Sequence, residues 1–217
     1  MKLINNKEIV NVFNLLNSQK IEYILLRNID NELTDWLTVG KDIDILVHKK
    51  DELKFIDFFN LHGYSAIKHP FRNDIFLYGS DKFEFKYNNN NNILFDLNFQ
   101  ILVKSLDAGQ WIPLDNNIQL SAWKNKRLEQ QENGISYWTL CYEDEFICLV
   151  ARSIFDKKEF QEGYTKRIIN LLPLIDRKSV ISKLELIFFK FTPYLMKLIE
   201  KKRYPDIIKK YLAFREY

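Results

Sequence analysis

Residues 21–47, IEYILLRNIDNELTDWLTVGKDIDILV, constrain the fold more than any other stretch of the chain. They comprise an apolar run, a polar loop, and a second apolar run that carries Asp42-Ile43-Asp44. Side chains alternate across a β-strand, so residues two apart share a face. Asp42 and Asp44 therefore project side by side, while Ile43 and Ile45 turn to the opposite, buried face. Adjacent carboxylates repel unless something positive sits between them, and a divalent cation is the usual partner. The plainer alternative is an exposed strand with two solvated aspartates. A third acid weighs against it. Asp96 lies inside Leu94-Phe95-Asp96-Leu97, where an unpaired buried carboxylate is costly. It is expected to face a wet or metal-filled cleft, with a strand-end salt bridge as the alternative.

Around these acids the pattern alternates between helix and strand. Residues 6–20 place Ile9, Val12, Phe13 and Leu16 at helical spacing, and 21–26 reads as a strand ending at Arg27-Asn28. After the loop and Gly40 comes the strand 42–48. Asp51-Glu52 then opens a helix with Leu53, Ile56 and Phe59 on its apolar stripe, closing at Gly63. Short aromatic and β-branched runs at 64–69, 74–78, 82–87 and 93–99 predict antiparallel strands. The asparagine run 88–92 predicts a solvated hairpin loop.

Residues 118–126 fit neither period clearly. Runs at 127–131 and 135–140 flank Asn133-Gly134, a strong hairpin signal. From Glu143 onward the period is helical. The stripes are Ile147, Val150, Ala151 and Ile154; then Tyr164, Ile168, Leu171 and Leu172; then Val180, Leu184, Ile187 and Phe188, with Pro173, Pro193 and Pro205 as punctuation. The expected class is α+β, a mixed sheet flanked by helices and followed by a C-terminal helical region. The expected domains are 1–116 and 117–217, the second comprising the hairpin and the helices.

Bulk properties narrow the function classes. Hydrophobic residues make up 47% of the chain and charged residues 28%, ordinary for a globular protein. A net charge of +3 gives no basic field of the kind that binds nucleic acid or an anionic membrane. No apolar run is long enough to span a bilayer, and the N-terminus lacks the apolar core of a signal peptide. Cys141 and Cys148 fit no zinc or redox spacing. Together these predict a reduced, cytoplasmic protein. His48, His62 and His69 form no metal-ligand pattern. Lys41, Arg72 and Lys86 are candidate phosphate contacts, each against the alternative of a solvated surface cation. Trp36 fits base stacking or core packing equally well.

An apolar strand ending in a polar turn, an acid-hydrophobe-acid strand and a later lone acid together resemble the nucleotidyltransferase superfamily, with its polymerase-β-like fold. LLRN, GKDIDILV and FDLNF are most similar to the small nucleotidyltransferase-like proteins found with bacterial surface-polysaccharide genes. The resemblance covers roughly residues 6–100. It implies that Asp42 and Asp44 hold Mg²⁺, two ions being expected. Asp96 would complete the second site and accept the proton of an attacking hydroxyl. Two such ions about 4 Å apart stabilise both ends of an in-line displacement at phosphorus. The implied partners are a nucleoside triphosphate and an unidentified acceptor. Arg27, Asn28 and Lys41 are the implied nucleotide contacts.

The chain departs from the family at one point. Arg27-Asn28 stands where the family has a Gly-Ser turn, whose glycine permits close backbone approach to phosphate. Arg27 either contacts a phosphate through its guanidinium fork or marks a fold that no longer binds triphosphate. The second case gives a catalytically silent binding module, antitoxin-like or partner-binding, with a protein partner on the C-terminal helices. RNA modification is the weakest alternative, because Lys201-Lys202-Arg203 and Lys209-Lys210 also suit solvated helix faces.

Overall fold

A computed structural model describes residues 2–29, 33, 37–67, 84–106, 110–131 and 134–216. The chain divides into two compact units, Met1–Ile101 with Lys126–Leu140, and Leu102–Asn125 with Cys141–Tyr217. The hairpin at 127–140, expected within the second domain 117–217, lies in the first unit. Its strands complete that unit's sheet, a long-range pairing that no local pattern announces.

The first unit opens with helix α1 (Asn6–Ser18). The Asn5 side chain caps it by accepting the Lys7 N–H at 3.0 Å, and Ile9, Val12, Phe13 and Leu16 are buried as their spacing requires. The described strands are β1 (Tyr23–Leu25), β2 (Asp42–Val47), β3 (Ser65–Ile67), β4 (Glu84–Tyr87) and β5 (Leu94–Asn98), then β8 (Arg127–Gln130) and β9 (Ser136–Thr139). They form a mixed sheet in the order β3-β4-β5-β2-β1-β9-β8. β2 runs antiparallel to β1 and parallel to β5, and β1 runs parallel to β9. The strand expected at 74–78 lies outside the described residues.

One face of this sheet carries Tyr23, Leu25, Ile43, Ile45, Val47, Phe95 and Leu97, all in one core cluster with α1 and with helix α2 (Glu52–Leu61). Aromatic rings knit it together. Phe59 lies 5.0 Å from Phe95 and 4.8 Å from Tyr64, and Phe13 lies 5.7 Å from Tyr23. The expected stripe of α2 needs correction. Phe55, Phe58 and Phe59 face the core, while Leu53 is 76% exposed. Two stripes fit the helical period in this segment, and the three bulky rings bury the larger area, so they take the core side. The asparagine run is also less solvated than expected. Asn88 is buried, its side-chain amide donating to the His62 carbonyl at 2.8 Å.

The second unit starts with a short hairpin, β6 (Leu102–Lys104) and β7 (Trp111–Pro113), which the sequence pattern did not predict. Helix α3 (Asn116–Lys124) resolves the ambiguous segment, capped by the Asp115 carboxylate, which accepts the Asn117 N–H at 2.8 Å. There follow α4 (Tyr142–Phe155), α5 (Glu162–Leu171), α6 (Arg177–Phe188), α7 (Thr192–Glu200) and α8 (Tyr204–Ala213). Pro193 and Pro205 occupy first-turn positions of α7 and α8, where the missing N–H costs no intrahelical bond. Ile147, Val150, Ala151 and Ile154 are buried as expected. Among the described residues no helix is long and apolar enough to cross a membrane.

The burial pattern of α2 gives a direct check. Phe59→Ala is expected to cost about 3–5 kcal/mol, the loss typical of a fully buried aromatic ring. Leu53→Ala on the same helix is expected to stay within about 0.5 kcal/mol. Urea denaturation of both variants measures the difference.

Candidate functional site

Register decides where the acids meet. β2 and β5 pair in parallel with Asp42 opposite Leu94, Asp44 opposite Asp96 and Leu46 opposite Asn98. Residues directly opposite share a face, so Asp42, Asp44 and Asp96 stand together on the side away from α1 and α2. One carboxylate oxygen from each lies within 4.8 Å of the others. Asp44 is 8% exposed and Asp96 1%, so two of the three charges are withdrawn from water. Burial pushes the Asp42 carboxyl above its ordinary value of 3.8, and the charges of Asp44 and Asp96 push it further, while Arg27 acts in the opposite sense.

Arg27 forms a salt bridge to Asp44, from Nη2 to Oδ1. The turn that carries it is held on both sides. The Leu26 N–H donates to the Asp44 carbonyl at 3.0 Å, extending the β1–β2 ladder by one step. The Thr139 hydroxyl donates to the Leu25 carbonyl at 2.9 Å. The Asn28 side-chain amide donates to the Tyr137 hydroxyl at 3.0 Å, and its carbonyl oxygen accepts the Leu33 N–H at 3.3 Å. Asn28 thus holds the turn by both ends of its side chain, and strand β9 supplies two of the anchors.

Lys41 is exposed and immediately precedes Asp42. Its N–H donates to the Thr38 carbonyl at 3.0 Å, and Gly40 takes φ +91° inside that turn, a backbone region few other residues tolerate. Lys86 is placed elsewhere. It pairs with Phe95, whose ring belongs to the core, so it lies on the opposite face from Asp96 at 4% exposure. Arg72, Trp36 and His69 lie outside the described residues. His48 accepts the Lys50 N–H through Nδ1 at 3.2 Å, and the His62 ring packs 4.3 Å from Phe58, so both serve local structure.

Asn98 was not singled out in the sequence. It is buried on the carboxylate face, two residues beyond Asp96, and its amide donates to the Asp96 carbonyl at 3.2 Å. The alternation of FDLNF carries that signal. A second polar cluster lies in the other unit. Buried Asp144 accepts from the Ser121 hydroxyl at 2.8 Å, from Lys183 Nζ at 2.6 Å and from Cys141 Sγ at 3.2 Å. Burial, with the Asp144 charge beside it, pushes the Cys141 thiol up to about 12, so it remains a donor and not a nucleophile. These bonds tie α3, α4 and α6 together. A cavity of about 450 Å³ opens on the helix-covered side of the first unit, lined by Asn5, Glu8, Asn11, His62, Tyr64 and residues of the asparagine loop. None of the three acids lines it.

Oxygen is the donor set that hard cations such as Mg²⁺ prefer, and the three carboxylates supply it without sulfur or nitrogen. The cluster fits a divalent cation in charge and chemistry. No protein-family model matches the sequence, and no curated protein matches it. Among solved structures, the chain is similar to lincosamide antibiotic adenylyltransferase LnuA bound to lincomycin, with 13% identity, 82% of this chain and 99% of that chain covered, and a TM-score of 0.43. It is also similar to the antibiotic-resistance factor ANT(2'')-Ia, with 8% identity, coverage of 97% and 100%, and a TM-score of 0.46.

Two outcomes follow from these clusters. In metal-free protein at neutral pH, Asp42→Asn is expected to raise the melting temperature by roughly 2–4 °C, equivalent to about 1 kcal/mol of relieved repulsion. The native Asp42 carboxyl titrates above its unfolded value, so its protonated form is favoured by folding. That contribution is present at acid pH and lost as pH rises through the elevated value. The gap between variant and parent should therefore widen from pH 4 to pH 7 in thermal melts. Asp144→Ala, which leaves Lys183 without its carboxylate, is expected to cost about 3–5 kcal/mol by urea denaturation.

Proposed function

We propose that the chain is a divalent-cation-dependent nucleotidyltransferase, moving a nucleotidyl group from a nucleoside triphosphate to a hydroxyl or phosphate acceptor. The observation that carries this is the β2–β5 register, which sets Asp44 opposite Asp96 with Asp42 on the same face. The resemblance of LLRN, GKDIDILV and FDLNF to the superfamily supports it from the sequence side.

Asp42 and Asp44 would hold Mg²⁺, with Asp96 completing the set. Bound there, the metal supplies charge to the phosphate oxygens and to the attacking and leaving oxygens. The rest falls to the chain. An Asp96 carboxylate oxygen accepts the proton of the acceptor hydroxyl. Arg27, paired with Asp44, and Lys41, next to Asp42, balance triphosphate charge, the Arg27 fork matching two phosphate oxygens. Asn28 keeps the Arg27 turn in place through Tyr137 and Leu33. The acceptor class suggested by the resemblance is a component of surface-polysaccharide metabolism, in the cytoplasm.

One observation favours a second reading. Arg27 already neutralises Asp44, as it would in a fold that had given up its metal and become a silent binding module with a protein partner. Thermal unfolding against each nucleoside triphosphate, with and without Mg²⁺, separates the two. A ligand at a hundred times its Kd stabilises the native state by about 2.7 kcal/mol. The transferase reading expects a shift of roughly 5–10 °C with one triphosphate. That shift should require Mg²⁺ and vanish in Asp44→Asn. No shift with any triphosphate selects the silent module.

A further inference from the structure

We propose that Arg27 is a resident counter-cation that couples metal binding to nucleotide binding: its guanidinium holds Asp44 when the site is ligand-free and transfers to the triphosphate when a divalent cation takes that carboxylate. The inference rests on the transferase reading above and adds the order of exchange within that site.

Three carboxylates gathered within 4.8 Å, two of them buried, need positive charge in the ligand-free protein. Arg27 supplies it by its salt bridge to Asp44. An arginine cannot leave such a site by losing a proton, since its guanidinium stays charged throughout the physiological range. It has to move. The backbone around it is fixed by the Leu26–Asp44 ladder bond, by Thr139 on Leu25 and by Tyr137 on Asn28. Exchange is therefore a rotation of the Arg27 side chain about a held backbone.

The two ligands then depend on each other. A cation arriving alone breaks the Arg27–Asp44 pair and brings the guanidinium no anion in exchange. A cation arriving with a triphosphate gives the same guanidinium a pair of phosphate oxygens, a bidentate partner of equal kind. Metal and nucleotide therefore bind with positive coupling, and the coupling is reciprocal. In this chain the Arg27-Asn28 step would make the site reluctant toward free metal and receptive to the metal–nucleotide pair.

The test measures Mn²⁺ affinity by electron paramagnetic resonance, with and without the α,β-methylene analogue of each nucleoside triphosphate. Parent, Arg27→Met, Arg27→Lys and Asp44→Asn are compared. Arg27→Met is expected to bind Mn²⁺ alone more tightly than the parent by roughly 5- to 150-fold, the range of ordinary coupling energies. Arg27→Lys, which keeps a cation, should remain near the parent. The analogue should tighten Mn²⁺ binding less in Arg27→Met than in the parent. Equal or weaker Mn²⁺ binding by Arg27→Met, in a protein whose binding is still lost in Asp44→Asn, overturns the inference and leaves the transferase reading standing. Mn²⁺ binding that ignores Asp44→Asn, or none at all, overturns both. A measurement on the unmutated protein guards against misfolding of the variant. The ¹⁵N resonance of Arg27 Nε should shift when Mg²⁺ and the analogue are added together. An unchanged resonance under saturating ligand also overturns the exchange.

Discussion

The parallel pairing of β2 with β5 is the constraint on which the site depends. It sets Ile43 beside Phe95 on one face and Asp44 beside Asp96 on the other. A slip of β2 by one residue would turn Asp42 and Asp44 into the core and Ile43 and Ile45 out to the other face. The aromatic packing of Phe13, Phe59 and Tyr64 around Phe95 makes that slip prohibitively costly. Core and site are thus two sides of one register, and the apolar face holds the polar one against its own repulsion.

The second dependence runs through β9. It pairs with β1 at Leu25 and Thr139, and it anchors the Arg27-Asn28 turn by a threonine hydroxyl and a tyrosine phenol. Both are neutral groups, so they fix the turn without adding charge to a crowded cluster. Gln131 also donates to the Tyr137 hydroxyl, at 2.9 Å, which leaves that phenol well satisfied despite burial. The hairpin thereby acts as a brace for a residue far from it in sequence.

Much of this was legible in the sequence, and the limits have physical causes. The acid face of β2 follows from strand alternation alone, and α1 from its spacing. The stripe of α2 did not, because Leu53-Ile56-Phe59 and Phe55-Phe58-Phe59 both satisfy the helical period, and only packing chooses between them. The hairpin β6–β7 escaped because its strands are too short for a pattern to build up. Lys86 was a plausible phosphate contact until its register with Phe95 turned it to the other face. The Arg27–Asp44 pair and the Ser121–Asp144–Lys183 cluster join residues from separate elements. Local pattern encodes none of these meetings.

The first unit is interrupted. Its chain leaves after Ile101, builds β6, β7 and α3 elsewhere, and returns only at Lys126. On the ribosome, β1 to β5 are therefore finished while the strand that should flank β1 is still unmade. Until Thr139 emerges, the outer edge of β1 presents unpaired N–H and C=O groups, the kind of edge that recruits other strands. A nascent chain stopped anywhere in α3 has all three carboxylates but lacks the brace for its arginine. Synthesis makes the acids early and completes their setting late, so the unit's last step of folding waits on a segment more than forty residues past Asp96, at roughly 5–20 residues per second.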